Sequence, residues 1–214
     1  MIKLIKQQCP EIIRQSKETW TKELLKAKEN GEDISKFNKN YKRPEIKDAL
    51  KQDASNKCMY CESKVSPTYY GDIEHIKPKS KYPELTFEWD NLGFACRLCN
   101  NIKRDKYEED NPIINPFKEN PLDFFDPIGA YIYPKKGNSR GKITEETVEL
   151  NRPDLLEQRR DEFNQIKKLV KIMNSRPGDL ELRQVIIENI KERCTSDKQY
   201  SMCLNSFYKT IVQT

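Results

Sequence analysis

The chain holds a single histidine, His75, in the stretch "GDIEHIKPKS", and seven cysteines, four of which fall in two Cys-x-x-Cys pairs. Cys58 and Cys61 form the first pair and Cys96 and Cys99 the second, with 34 residues between them. Two thiolate pairs on tight turns supply four soft ligands, the set a tetrahedral Zn²⁺ takes at about 2.3 Å. Four protein ligands close the shell, so this zinc is read as structural, with no open position for a substrate. A thioredoxin-type redox pair needs only one such motif and a surrounding βαβ pattern that is missing here. Cys9, Cys194 and Cys203 have no neighbours at ligand spacing and read as small apolar residues.

An imidazole of pKa about 6.5 is the side chain best matched to taking a proton near neutral pH. The zinc pairs bracket His75, and between and just beyond them stand "DIEHIKPKS", "EWDNLGFAC" and "RLCNNIKRDK". A carboxylate with a carboxamide oxygen makes a hard, incomplete shell, which suits Mg²⁺ or Mn²⁺ better than Zn²⁺. Such a metal stabilises charge developing on a scissile phosphate and on the leaving 3′ oxygen. Lys77, Lys79 and Lys81 follow the histidine, and Lys103, Arg104 and Lys106 follow Asn100. Any one of them alone reads as an ordinary solvated cation; as two groups of three beside the site they favour phosphate contact.

In this order and spacing the residues resemble the HNH nucleases of the ββα-metal fold in their zinc-braced form. The shared pattern is an acid and a His ending a first strand, a Pro soon after, an Asn-Leu opening a second strand, then Cys-x-x-Cys with Asn following it and a Lys three residues on. The resemblance implies that His75 is the general base. It implies that Glu74 and Asn100 hold one divalent metal, that Asn91 pins the loop and the orientation of the histidine, and that Lys103 supports the helix or contacts phosphate. The family's usual Asp before the histidine is here Glu74, one methylene longer, which leaves Asp72 as a possible substitute ligand.

The segments "KETWTKELL", "YKRPEIKDAL", "MYCES", "INPF" and "LNRPDLLEQRR" extend the resemblance to the HNH subunits (PtuB) of Septu-type anti-phage systems and to retron-associated HNH proteins. What that implies is an effector nuclease working with an ABC/SMC-like ATPase, PtuA. The sequence has no GxxxxGK[ST] phosphate loop, so nucleotide control is expected from another chain. DNA is the favoured substrate. An RNA-directed nuclease, with tRNA as a conceivable target, is the alternative within the enzyme class, because such a site reads phosphate geometry and does not choose a sugar. A non-catalytic zinc adaptor is the alternative outside that class, and a repair or restriction enzyme acting alone is a third.

Composition sets the frame around this centre. Hydrophobic residues are 36% and charged residues 34% of 214, against roughly 45–50% and about 25% in ordinary domains, so the core is expected to be small for the length. A net charge of +5 permits nucleic acid without demanding it. No run approaches 18 apolar residues and the N-terminus has no signal-peptide segment, so a soluble, cytoplasmic protein with no membrane contact is expected.

The elements that must position the site follow from periodicity and breakers. The spacing predicts a helix from Pro10 to Asn30 stopped by Gly31, a short helix from Pro44 carrying Ile46, Ala49 and Leu50, and a stripe from Leu155 to Met173 broken by "RPGD". Two more helices are expected over Leu180 to Cys194 and Tyr200 to Val212. "NPIINPFKENPLDFFDPIG" reads as a loop on account of its four prolines. "AYIYP" and "GKITEETVEL" read as the two strands of a β-hairpin. The fold class is therefore α+β: a small ββα-metal HNH core with a four-cysteine structural zinc, flanked by N-terminal and C-terminal α-helices. The expected regions are 1–57 helical, 58–110 nuclease core with the zinc site, 111–150 Pro-rich loop and hairpin, and 151–214 helical.

Overall fold

The computed structural model describes residues 1–65 and 71–212. Helix α1 spans Glu11–Glu29, entered through Pro10 and closed by Gly31 at φ 69°, where a residue without a Cβ is at ease. A single helical turn, α2 (Asn38–Tyr41), precedes α3 (Pro44–Asp53), which opens on Pro44 in its first turn. Leu24 and Ala27 of α1 pack with Phe37, Tyr41 and Phe87 in a small satellite core. That cluster seats α2 against the rest of the fold.

The centre is an antiparallel pair, β1 (Gly71–His75) and β2 (Leu92–Cys96), followed directly by α4 (Arg97–Lys103). Asp72 lies opposite Ala95, Glu74 opposite Gly93 and His75 opposite Leu92. Strand alternation puts Asp72 and Glu74 on one face of the pair. Gly93 matters because a Cβ there would stand 2.2 Å from Met59 Sδ; its absence lets the first cysteine turn lie flat on β2, where Met59 N–H donates to the Phe94 carbonyl at 2.9 Å.

A second hairpin joins β3 (Phe125–Ile128) to β4 (Tyr131–Pro134). This corrects the expected pairing: "YIYP" is a strand, but its partner comes from the Pro-rich segment, and "GKITEETVEL" contributes to α5 (Ser139–Val148) instead. Gly141, Thr144 and Val148 are its buried positions, a helical spacing, and Asn138 caps the helix by accepting from the Gly141 N–H at 2.8 Å. Pro127 is tolerated in β3 because its partner Ile132 turns its backbone groups the other way, to the Asn151 carboxamide, at 2.9 and 2.8 Å.

Three helices complete the chain: α6 (Pro153–Ser175), α7 (Leu180–Arg193) and α8 (Ser201–Val212). The start of α8 docks on the turn after Cys61. Glu62 accepts from Ser201 Oγ at 2.7 Å and from the Met202 N–H at 3.3 Å. The buried Lys57 ammonium donates to the carbonyls of Ser196 and Lys198 at 2.6 and 2.9 Å. Among the described residues no helix is long and apolar enough to cross a membrane.

Candidate metal centre and active-site groove

Four sulfurs bound to one ion at about 2.3 Å in a tetrahedron lie about 3.8 Å apart. The sulfurs of Cys58, Cys61, Cys96 and Cys99 all lie within 4.8 Å of one another, with Cys61 and Cys96 at 3.9 Å. The donor set and its spacing fit zinc. Cys96 also caps α4, its sulfur accepting from the Cys99 N–H at 3.4 Å, so the second pair is held by the helix it starts. Arg152 Nη1 donates to Cys99 Sγ at 3.5 Å. Burial works against the Arg152 charge, but attraction to Cys99 and Cys61 and the hydrogen bond to Cys99 outweigh it and hold its pKa above the ordinary value. Sequence reasoning missed Arg152, whose motif neighbours lie over fifty positions away.

His75 ends β1, buried, with Nε2 3.0 Å from the Thr86 carbonyl. A carbonyl only accepts, so Nε2 carries the proton and the lone pair is on Nδ1. The Tyr41 ring meets the imidazole edge-on, with centroids 4.8 Å apart and planes at 89°. Burial is the main reason the His75 pKa falls to about 4; the charges of Lys79 and Lys103 add to it, against the Thr86 hydrogen bond. At neutral pH the imidazole is therefore a neutral base.

Two ladders of side chains meet beside it. On α4, Asn100 and Lys103 are one turn apart; on β1, Asp72 and Glu74 are two residues apart. Asn100 Nδ2 is 3.4 Å from Asp72 Oδ2, and Lys103 Nζ is 2.6 Å from Glu74 Oε1. Glu74 is almost wholly buried and also accepts from the Tyr60 hydroxyl at 3.2 Å. Burial pushes its carboxyl pKa up, against the pull of Lys103 and Tyr60. Asp72 and Asn100, half-buried, and the buried Glu74 all line the groove that holds His75.

Asn91 is a clamp. Its Oδ1 accepts from the Lys77 N–H at 2.8 Å, while Nδ2 donates to the carbonyls of Lys77 and Leu85 at 3.0 and 3.1 Å. Leu85 precedes the Thr86 whose carbonyl meets His75 Nε2, so the Asn91 clamp and the His75 contact lie on adjacent residues.

The six basic positions separate. Lys103 is fully buried, its ammonium committed to Glu74 and, at 2.8 Å, to the His75 carbonyl; it supports the site and presents no surface to phosphate, which removes it from the phosphate-contact set. Lys77 pairs with Glu109 at 3.0 Å over the rings of Tyr82 and Tyr107, away from the His75 groove. Lys79 and Arg104 line the groove. Lys81 and Lys106 are exposed. The groove adds Tyr41, Lys42 and Lys47, which no motif spacing marks because they come from the helical turns before the first cysteine.

Residues 58–106 match the family model described as HNH endonuclease, and they form an HNH endonuclease domain with the two strands, helix and cysteine cluster described above. The chain is similar to a Septu protein PtuB of Bacillus thuringiensis, 36% identical over 132 residues, covering 61% of this chain and 50% of that one. It is also similar to a Septu protein PtuB of Bacillus mycoides (strain KBAB4), 29% identical over 152 residues, covering 56% of this chain and 51% of that one. The chain thus spans about half the length of the curated relatives it matches.

Proposed function

We propose that this chain, with its HNH endonuclease domain at residues 58–106, is a metal-dependent endonuclease that hydrolyses phosphodiester bonds of nucleic acid, DNA in the first place. The observation that carries the reading is the 3.0 Å contact between His75 Nε2 and the Thr86 carbonyl, which assigns the proton to Nε2. With Nε2–H given to the Thr86 carbonyl, Nδ1 is the free base that takes a proton from the attacking water. Tyr41 and the Asn91 clamp hold the ring in that orientation. Lys103 fixes the end of β1 through the His75 carbonyl and opposes the burial that raises the Glu74 carboxyl pKa.

Asp72, Asn100 and the second oxygen of Glu74 would hold Mg²⁺ or Mn²⁺, a set of hard oxygens facing the groove. Bound there, the ion would supply charge stabilisation on the scissile phosphate and the leaving oxygen. The cysteine cluster would hold Zn²⁺ as a brace, remote from the chemistry.

The likeness to PtuB proteins supports a role as the effector subunit of an anti-phage complex with an ABC/SMC-like ATPase, PtuA. The test is cleavage of supercoiled plasmid and of total RNA with Mg²⁺ or Mn²⁺, comparing the wild type with His75→Ala and His75→Asn, each alone and with the ATPase. Cleavage by the wild type and none by either variant, at equal zinc content, is the expected result. Equal cleavage by all three removes His75 as the base. No cleavage by any of them, with zinc retained, leaves the zinc-adaptor reading standing.

A further inference from the structure

Lys42, Lys47 and Lys79 line the same groove as His75, Asp72 and Asn100. Among the described residues none of these three ammonium groups has a carboxylate at ion-pair distance. Lys79 is half-buried, and its partners are neutral: Nζ donates to Asn38 Oδ1 at 3.0 Å and lies 5.7 Å from the centre of the Tyr41 ring. Burial lowers its pKa and the nearby charge of Lys42 lowers it further. The carboxylates of Asp33, Asp72, Glu74 and Asp105 line the same groove but none stands at ion-pair distance from these lysines, so the half-buried Lys79 has only neutral partners, a cost that a bound anion relieves.

The wall is also tied to the base. Asn38 Oδ1, which holds Lys79, accepts from the Tyr41 hydroxyl at 3.1 Å, and Tyr41 is the ring set edge-on against His75. An anion held by Lys79 is therefore linked to the His75 ring through Asn38 and Tyr41.

We infer that Lys42, Lys47 and Lys79 form a phosphate-binding wall that grips the backbone of the nucleic acid strand beside the scissile phosphodiester, with Asn38 as the residue that positions Lys79. Two of its three cations, and Asn38, lie before the HNH domain, so the N-terminal helical turns are part of the substrate site. The inference rests on the nuclease reading for the identity of the strand. The anion chemistry stands on the groove alone.

The test is fluorescence anisotropy of labelled duplex DNA, single-stranded DNA and RNA oligonucleotides with the full chain, without added divalent metal, over a KCl series. The Lys42→Ala/Lys47→Ala pair is compared with Lys167→Ala/Lys171→Ala, two exposed lysines of α6 outside the groove, so that both lose the same net charge. The groove pair is expected to bind several-fold more weakly and to flatten the dependence of log Kd on log salt by about 1.4–1.8, while the control pair stays near the wild type. A groove pair with the slope of the wild type or of its control overturns the inference, as does a wild type that binds none of the oligonucleotides. Cleavage run in parallel keeps the two readings apart. Unchanged KM in the groove pair overturns the wall alone; no cleavage by the wild type either alone or with the ATPase, with the salt slopes as expected, overturns the nuclease reading and leaves the phosphate wall in place.

Discussion

The Lys103 ammonium lies 2.6 Å from Glu74 Oε1 and 2.8 Å from the His75 carbonyl, and no part of it reaches solvent. One lysine of the helix thus holds both the Glu74 carboxylate and the backbone of His75. It links α4 to β1 where the chemistry is expected.

Lys103→Met leaves Glu74 as a buried, uncompensated carboxylate, which costs about 3–5 kcal/mol. Adding Glu74→Gln removes the charge as well and recovers part of that loss. Urea unfolding of the three variants at neutral pH measures both; equal stability of the single and double variants would contradict a coupled pair.

His75, as the single histidine, gives one unambiguous imidazole signal in NMR. Its pKa of about 4 in the folded chain, against about 6.5 unfolded, means that the unfolded state takes up the proton first. The resulting stability is whole above pH 6.5 and is lost as the pH falls from there toward 4, by about 3 kcal/mol in all. In the divalent-free protein the imidazole is expected to stay neutral, with the proton on Nε2, at pH 6; a titration midpoint near 6.5 would contradict the buried, Thr86-bound ring.

Asp72→Asn and Glu74→Gln separate the two carboxylates. Asp72 faces the groove beside Asn100, so its loss is expected to weaken Mn²⁺ binding at least tenfold with little change in Tm. Glu74→Gln is expected to change Tm through the lost Lys103 pair. Calorimetric Mn²⁺ titration and thermal unfolding on the same samples read the two effects, and the reverse pattern would assign the principal ligand to Glu74.

Asn91→Ala releases three backbone groups at once, an expected loss of about 2–4 kcal/mol. Because Leu85 and Thr86 are then less firmly placed, kcat should fall more than KM rises. A variant that is destabilised yet cleaves at the wild-type kcat would confine Asn91 to folding.

Removing zinc with a chelator is expected to unfold the cysteine turns and to release α8, since Glu62 and Lys57, which dock its start, flank Cys58 and Cys61. Structural zinc in small peptides is worth about 10–16 kcal/mol at pH 7, more than the rest of a small core can replace. Loss of hydrogen-exchange protection in α8 together with the core is the expected readout. Protection of α8 that survives the loss of zinc would show that the helix docks independently.

The candidate site of this protein was legible because its residues are close in sequence and of types with few other uses. Two Cys-x-x-Cys pairs around one histidine, with Asn91 and Asn100 at fixed offsets, mark a four-sulfur cluster and a candidate base before any folding is considered, and the four sulfurs do lie together. The long helices were legible for a similar reason, being set by apolar periodicity and by Pro and Gly at their ends. The segment "GKITEETVEL" misled because its β-branched Ile143, Thr144 and Val148 favour a strand by propensity, while burial of Gly141, Thr144 and Val148 on one face and the Asn138 cap select α5. Tertiary structure alone decided the rest: that Lys103 is buried with Glu74, that Asp72 stands beside Asn100, that Tyr41 and Lys42 reach the His75 groove, and that Arg152 guards the cysteines. Each depends on which faces of separate elements meet, and burial and partner choice are properties of that meeting. No spacing along the chain encodes them.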